Sequence, residues 1–112
     1  MYGLMGKLKA HAGQRDALIQ HLMDGVKILR SMKGCYLYVI SAATDDPDTV
    51  WITEVWEDSE AHRASLTNDD IRAVITAARP LIAALPDGFE IIPLGGVGLP
   101  EHPVGVTMDG FE

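Results

Sequence analysis

Apolar and polar residues alternate from Tyr2 to Lys9. Tyr2, Leu4 and Leu8 fall on one side, Met5, Lys7 and Lys9 on the other, as in a strand with one buried face. Ala12-Gly13-Gln14 breaks the pattern, and the period then lengthens. Leu18, Leu22, Val26 and Leu29 recur at helical spacing and predict a helix over 14–31, closed before Gly34. Cys35 to Ile40 is β-branched and aromatic and reads as a strand. The polar turn Thr44-Asp45-Asp46-Pro47-Asp48 joins it to a second strand, Val50 to Trp56, making a hairpin. Ser59 is placed to cap a short helix carrying Ala61, His62 and Leu66. Thr67 and Asp70 fit a capping box for a further helix, whose stripe is Ile71, Val74, Ile75, Ala78, Ile82 and Leu85. Pro80 lies inside that stripe and predicts a kink. Pro86-Asp87-Gly88 ends the element, and Phe89 to Leu94 reads as the last strand.

The order is β-α-β-β-α-β with a divided second helical region, which defines an α+β fold of ferredoxin-like topology. The expected sheet is antiparallel with helices on one face. Large apolar side chains nevertheless fall on both faces of the hairpin strands. A one-sided sheet would leave one set in water, and a patch of that size marks an interface. Two such sheets packed face to face form a homodimer and a dimeric α/β barrel. Tyr38 and Trp51 read as dimer core.

The expected division is a domain over 1–95 and an extended C-terminal arm over 96–112. The arm is rich in Gly and Pro yet carries Val97, Leu99, Val104, Val106, Met108 and Phe111. Its expected place is across the partner subunit.

Composition narrows the function. The net charge is −7, from 9 basic and 16 acidic side chains, and the basic residues are scattered. That argues against nucleic acid as a partner. The single cysteine, Cys35, supplies no redox or metal pair. His11, His21, His62 and His102 fit no zinc spacing, so no metal is expected. No apolar run reaches membrane-spanning length, and a cytoplasmic protein is the default expectation.

The segment from Trp51 to Leu66 carries a more specific signal. Glu54-Val55-Trp56-Glu57, then Glu60-Ala61-His62, then Ser65-Leu66 resembles the third strand and following helix of the antibiotic biosynthesis monooxygenase family, including its quinol monooxygenase-like members. Ala78-Arg79-Pro80-Leu81-Ile82 is similar to the end of the family's last helix, and the resemblance spans roughly residues 2 to 95. It implies a cofactor-independent monooxygenase that oxidises a quinol-like or polyketide-type aromatic with dioxygen. Flavin and metal are unnecessary when the deprotonated substrate itself supplies the electrons. The protein then contributes a base, a dry aromatic-lined pocket and positioning.

For that chemistry His62 is the candidate base, because histidine is the side chain whose unperturbed titration lies nearest neutrality. Its structural alternative is a packing or surface histidine. Ser65, three positions on, shares its helix face and is placed to orient His62 or a substrate hydroxyl. Trp56 either stacks on the substrate or fills the core. Glu54, on the same strand face, is a second acid/base group or a structural hydrogen-bond acceptor. Tyr36 lines the pocket or the dimer core. Thus His62 and Trp56 are the catalytic candidates, and Glu54, Ser65 and Tyr36 the substrate-binding ones. Heme-degrading relatives use an asparagine on the first strand; the only asparagine here, Asn68, lies beyond the third. The rival reading is a non-catalytic dimer that binds a small hydrophobic ligand. A cavity of a few hundred Å³ bearing His62 and Trp56 favours the enzyme.

Overall fold

A computed structural model describes residues 1–84 and 86–101. Strand β1 (Tyr2–Lys9) is followed by helix α1 (Arg15–Leu29) and the hairpin β2 (Cys35–Ala42) and β3 (Thr49–Trp56). Two short helices come next, α2 (Ser59–Ser65) and α3 (Asp69–Ala78), then a 3₁₀ turn over Arg79–Leu81 and strand β4 (Asp87–Ile91). The four strands form one antiparallel sheet in the order β2-β3-β1-β4. This is the ferredoxin-like topology. The sheet is open at β2 and β4 and does not close into a barrel within one chain. Of the expected C-terminal arm, residues 102–112 lie outside the described residues, as does Leu85.

The helices cover one sheet face. Leu8, Ala10, Val50 and Ile52 meet Leu18 and Ala78 in one cluster. Trp56, Leu29 and Ile71 make a second. Val50 and Leu18 are fully enclosed, which the strand alternation and the α1 stripe together require. Among the described residues no helix covers the opposite face. Its register aligns Met5 with Phe89 and Thr53, and Val39 with Thr53. Phe89 is 59% exposed and Val39 42%. Trp51 lies on this face, with the Lys7 ammonium 5.8 Å from its ring.

Tyr38 does not lie there. The register of β2 shifts between Cys35 and Leu37, so one residue is accommodated as a bulge. The extra residue reverses parity: Cys35, Tyr38 and Ile40 all turn toward the helices. Tyr38 packs against both core clusters. Its expected place in an intersubunit core is corrected by that bulge.

Four local expectations also change. Asp58, not Ser59, caps α2, its carboxylate accepting from the Ala61 amide at 2.7 Å. Asn68, not Thr67, caps α3, accepting from the amides of Asp70 at 2.9 Å and Ile71 at 3.1 Å. The Thr67 hydroxyl instead donates back to the Ala64 carbonyl, closing α2. Pro80 ends the helix rather than kinking it. The apolar stripe persists because Leu81 and Ile82 reach the same core from a 3₁₀ turn and an extended residue bridged to Ala10. Finally, β4 begins and ends earlier than expected. Gly88 faces Gly6 across the ladder, where a Cβ would collide with the Met5 carbonyl, and Pro93 lacks the amide a strand continuation needs.

The cap assignment has a direct check. Replacing Asn68 by Ala should lower unfolding free energy by about 1 kcal/mol. Replacing Thr67 by Ala should change it by no more than about 0.5 kcal/mol. Urea titrations of both variants compare them; an equal loss would return the cap to Thr67.

Candidate functional site

Alternation along β3 places Glu54 and Trp56 side by side on the helix-covered face. The Trp56 indole N–H donates to the Glu54 Oε1 at 3.0 Å. Tyr38 is the cross-strand partner of Glu54 on β2. The chain leaves β3, is capped by Asp58, and turns one helical turn back over the sheet. That turn brings His62 above the strand end. Its Nε2 stands 3.8 Å from Glu54 Oε1, within ion-pair range but beyond a hydrogen bond. The imidazole is held between two rings. Tyr2 lies 5.5 Å away at 39°, and the Trp56 ring 5.5 Å away at 67°, close to edge-on.

These groups close one end of a cavity of about 240 Å³ between the sheet and the helices. Glu54, Trp56, His62, Ser65 and Tyr38 supply its polar and aromatic wall. Aliphatic side chains of α1 and α3, among them Leu22, Ile71 and Val74, supply the rest. The outer rim carries Leu66 and Ile75, 45% and 37% exposed.

Burial raises the carboxyl pKa of Glu54 above its ordinary value. The Trp56 hydrogen bond and the His62 charge pull against that rise without cancelling it. Burial and then the Glu54 charge also push the Tyr38 hydroxyl up, and the same two causes push the Cys35 thiol up to about 11. Both remain protonated near neutrality. The site therefore offers one carboxyl of adjustable charge, one imidazole and one phenol donor around an apolar volume.

Four of the five sequence candidates meet here: His62, Trp56, Glu54 and Ser65. Ser65 is buried and on the cavity wall, but its hydroxyl donates to the His62 main-chain carbonyl at 2.6 Å. It braces the helix and offers the cavity only lone pairs. Tyr36 is not among the cavity residues. It sits at the bulge, beside a separate recess with Val26, Arg30 and Cys35. Tyr38, whose sequence reading is dimer core, takes the place on the cavity wall that was one of two readings for Tyr36. Tyr2 is the second residue that sequence reasoning missed. Its pairing with Trp56 across β1 and β3 is what sets it beside His62, and no local pattern announces that register. Among the described residues no group of three His, Cys, Asp or Glu side chains is arranged to hold a metal ion, and no helix is long and apolar enough to cross a membrane.

The raised Glu54 pKa makes a prediction about stability. The unfolded chain loses this proton near 4.5, the folded chain at a higher pH. Below the unfolded value both states are protonated and the group contributes nothing. As pH climbs from there through the folded value, the unfolded state ionises first and stability is lost. Each unit of separation is worth about 1.4 kcal/mol. Glu54→Gln keeps an acceptor for Trp56 and removes the charge. Its melting temperature should match the wild type at about pH 4 and exceed it increasingly toward neutral pH. An opposite trend in thermal melts would mean that the His62 charge outweighs burial.

Comparison with known proteins gives the family and the fold. Residues 1–77 match the antibiotic biosynthesis monooxygenase family. A solved structure from Chloroflexus aurantiacus, described as a candidate antibiotic biosynthesis monooxygenase, is 47% identical, with a TM-score of 0.78 over 93% of this chain and 98% of that one. One from Deinococcus radiodurans, with the same description, is 22% identical over 96% and 99%, TM-score 0.73. One from Nitrosomonas europaea is 14% identical over 87% and 99%, TM-score 0.76. The last two show likeness of fold. No curated protein matches the chain. A family match over most of the chain and a relative at 47% identity lead to one conclusion: this protein belongs to the antibiotic biosynthesis monooxygenase family.

Proposed function

We propose that the protein is a cofactor-independent monooxygenase acting on a quinol-like or polyketide-type aromatic. The observation that carries the reading is the cavity whose wall joins His62, Glu54 and Trp56. A flat phenolic ring fits an apolar space of this kind, with its hydroxyl at the polar end. His62 takes the phenolic proton, and Glu54 balances the resulting imidazolium charge 3.8 Å away. The electron-rich phenolate then reduces dioxygen. One oxygen atom enters the ring carbon, the O–O bond breaks, and the second oxygen leaves as water. A hydroquinone plus dioxygen thus becomes a hydroxyquinone plus water, with the substrate supplying all four electrons. The enclosed wall keeps bulk water from protonating the carbanion-like centre first. Trp56 fills the core and borders the cavity at once, so its two sequence readings are one position. A non-catalytic ligand carrier would use the same cavity; turnover separates the two.

Oxygen uptake with a hydroquinone and no added cofactor is the test. His62→Ala should lower kcat about 100-fold or more, the scale of a lost general base, while circular dichroism stays unchanged. Uptake absent from the folded wild type with one- and two-ring hydroquinones would leave the carrier reading.

The protein is further proposed to act as a homodimer through the uncovered sheet face. Phe89, Val39 and Trp51 there form the apolar surface that a second copy would bury. Light scattering at micromolar concentration should give twice the chain mass, and Val39→Asp together with Phe89→Asp should give one chain mass. A monomeric wild type sinks the proposal.

A further inference from the structure

The cavity wall is one-sided in charge. Among the described residues lining it there is no lysine and no arginine. Its one acidic side chain, Glu54, is only 15% exposed, and its partners are the Trp56 indole and His62. The single basic neighbour is therefore already facing a carboxylate. Tyr38 adds a hydroxyl and Ser65 an oxygen whose proton is spent elsewhere. Acceptors outnumber free donors at the polar end.

From this we infer that Glu54 is a specificity-determining residue that selects uncharged, hydroxyl-bearing aromatic rings and rejects rings carrying a carboxylate, sulfonate or phosphate. The inference rests on the cavity being the substrate site of the proposed oxidation. An anion entering it would lose its water and find no lysine or arginine to replace it, and it would meet a like charge wherever Glu54 is ionised. A phenol presents one donor to the Glu54–His62 pair and otherwise apolar edges. Rejection by an unpaired buried charge is a strong discriminator, much stronger than a difference in apolar contact. The substrate must then come from a reaction that leaves the ring decarboxylated and unconjugated, and acidic precursors bearing the same ring would not compete.

Binding tests this without turnover. Isothermal titration calorimetry of the full chain with 2-naphthol and 2-naphthoate at neutral pH compares one ring system in neutral and anionic form. Naphthol should bind at least roughly tenfold more tightly than naphthoate. Glu54→Gln should shrink that ratio several-fold. Leu66→Arg, a substitution at an exposed rim position, should raise naphthoate affinity, more so at low salt. Equal affinities in the wild type, or a ratio that Glu54→Gln leaves unchanged, overturn the inference, as does failure of naphthol to bind. The oxidation reading fails separately, by absence of oxygen uptake. Discrimination without uptake keeps Glu54 as the selector of a binding protein.

Discussion

A carboxylate under a helix layer has to be answered by donors, and in this fold almost everything near the site follows from how Glu54 is answered. Its Oε1 takes the Trp56 indole proton at 3.0 Å and faces His62 at 3.8 Å. Trp56 is nearly inaccessible and anchors one of the two core clusters. The same residue therefore packs the core and sets the direction of the carboxyl group. His62 reaches the pair only because Asp58 starts α2 immediately after β3. A helix beginning one residue later would rotate the imidazole about 100° around its axis. Strand, cap and carboxylate are one construction.

The sheet supplies the second constraint. Each strand must send one set of side chains toward the helices and the other away. In β3 that rule works without correction, and Glu54 and Trp56 share a face as alternation requires. In β2 it is interrupted once. The bulge at Tyr36 brings Cys35, Tyr38 and Ile40 to the helix side and leaves Leu37 and Val39 opposite. The cavity gains a phenol, and the uncovered face keeps aliphatic residues and Trp51. Site and proposed interface are thus divided by one extra residue.

This explains which features were legible in the sequence. Element order followed from the change in apolar period, because period is a local property. The placement of Glu54, Trp56, His62 and Ser65 near one another followed from a strand, a tight turn and a helix within a dozen residues. Alternation puts Tyr36 and Tyr38 on one face and does not separate them; the bulge that does so leaves no mark in a run such as Cys-Tyr-Leu-Tyr-Val-Ile. Tyr2 was missed because its contact with His62 depends on β1–β3 register, sixty residues apart in the chain. Pro80 was read as a kink because an apolar stripe records which residues reach the core, and a 3₁₀ turn can deliver them as well as a helix.

Gly25 bears on whether the cavity is a by-product of packing. It lies in the middle of α1, buried, where glycine is about 1 kcal/mol less favourable than alanine. Close helix approach is the usual reason to accept that. Here a Cβ would meet only Val74 Cγ1 at 3.6 Å, an ordinary contact. The packing of α1 on α3 does not demand glycine. A methyl group would instead project from a residue that lines the cavity and take volume from it. Glu54 shows the same tendency, since its burial disfavours the charged form. Gly25 and Glu54 each lower stability, one through the backbone and one through charge, and both line the same apolar space.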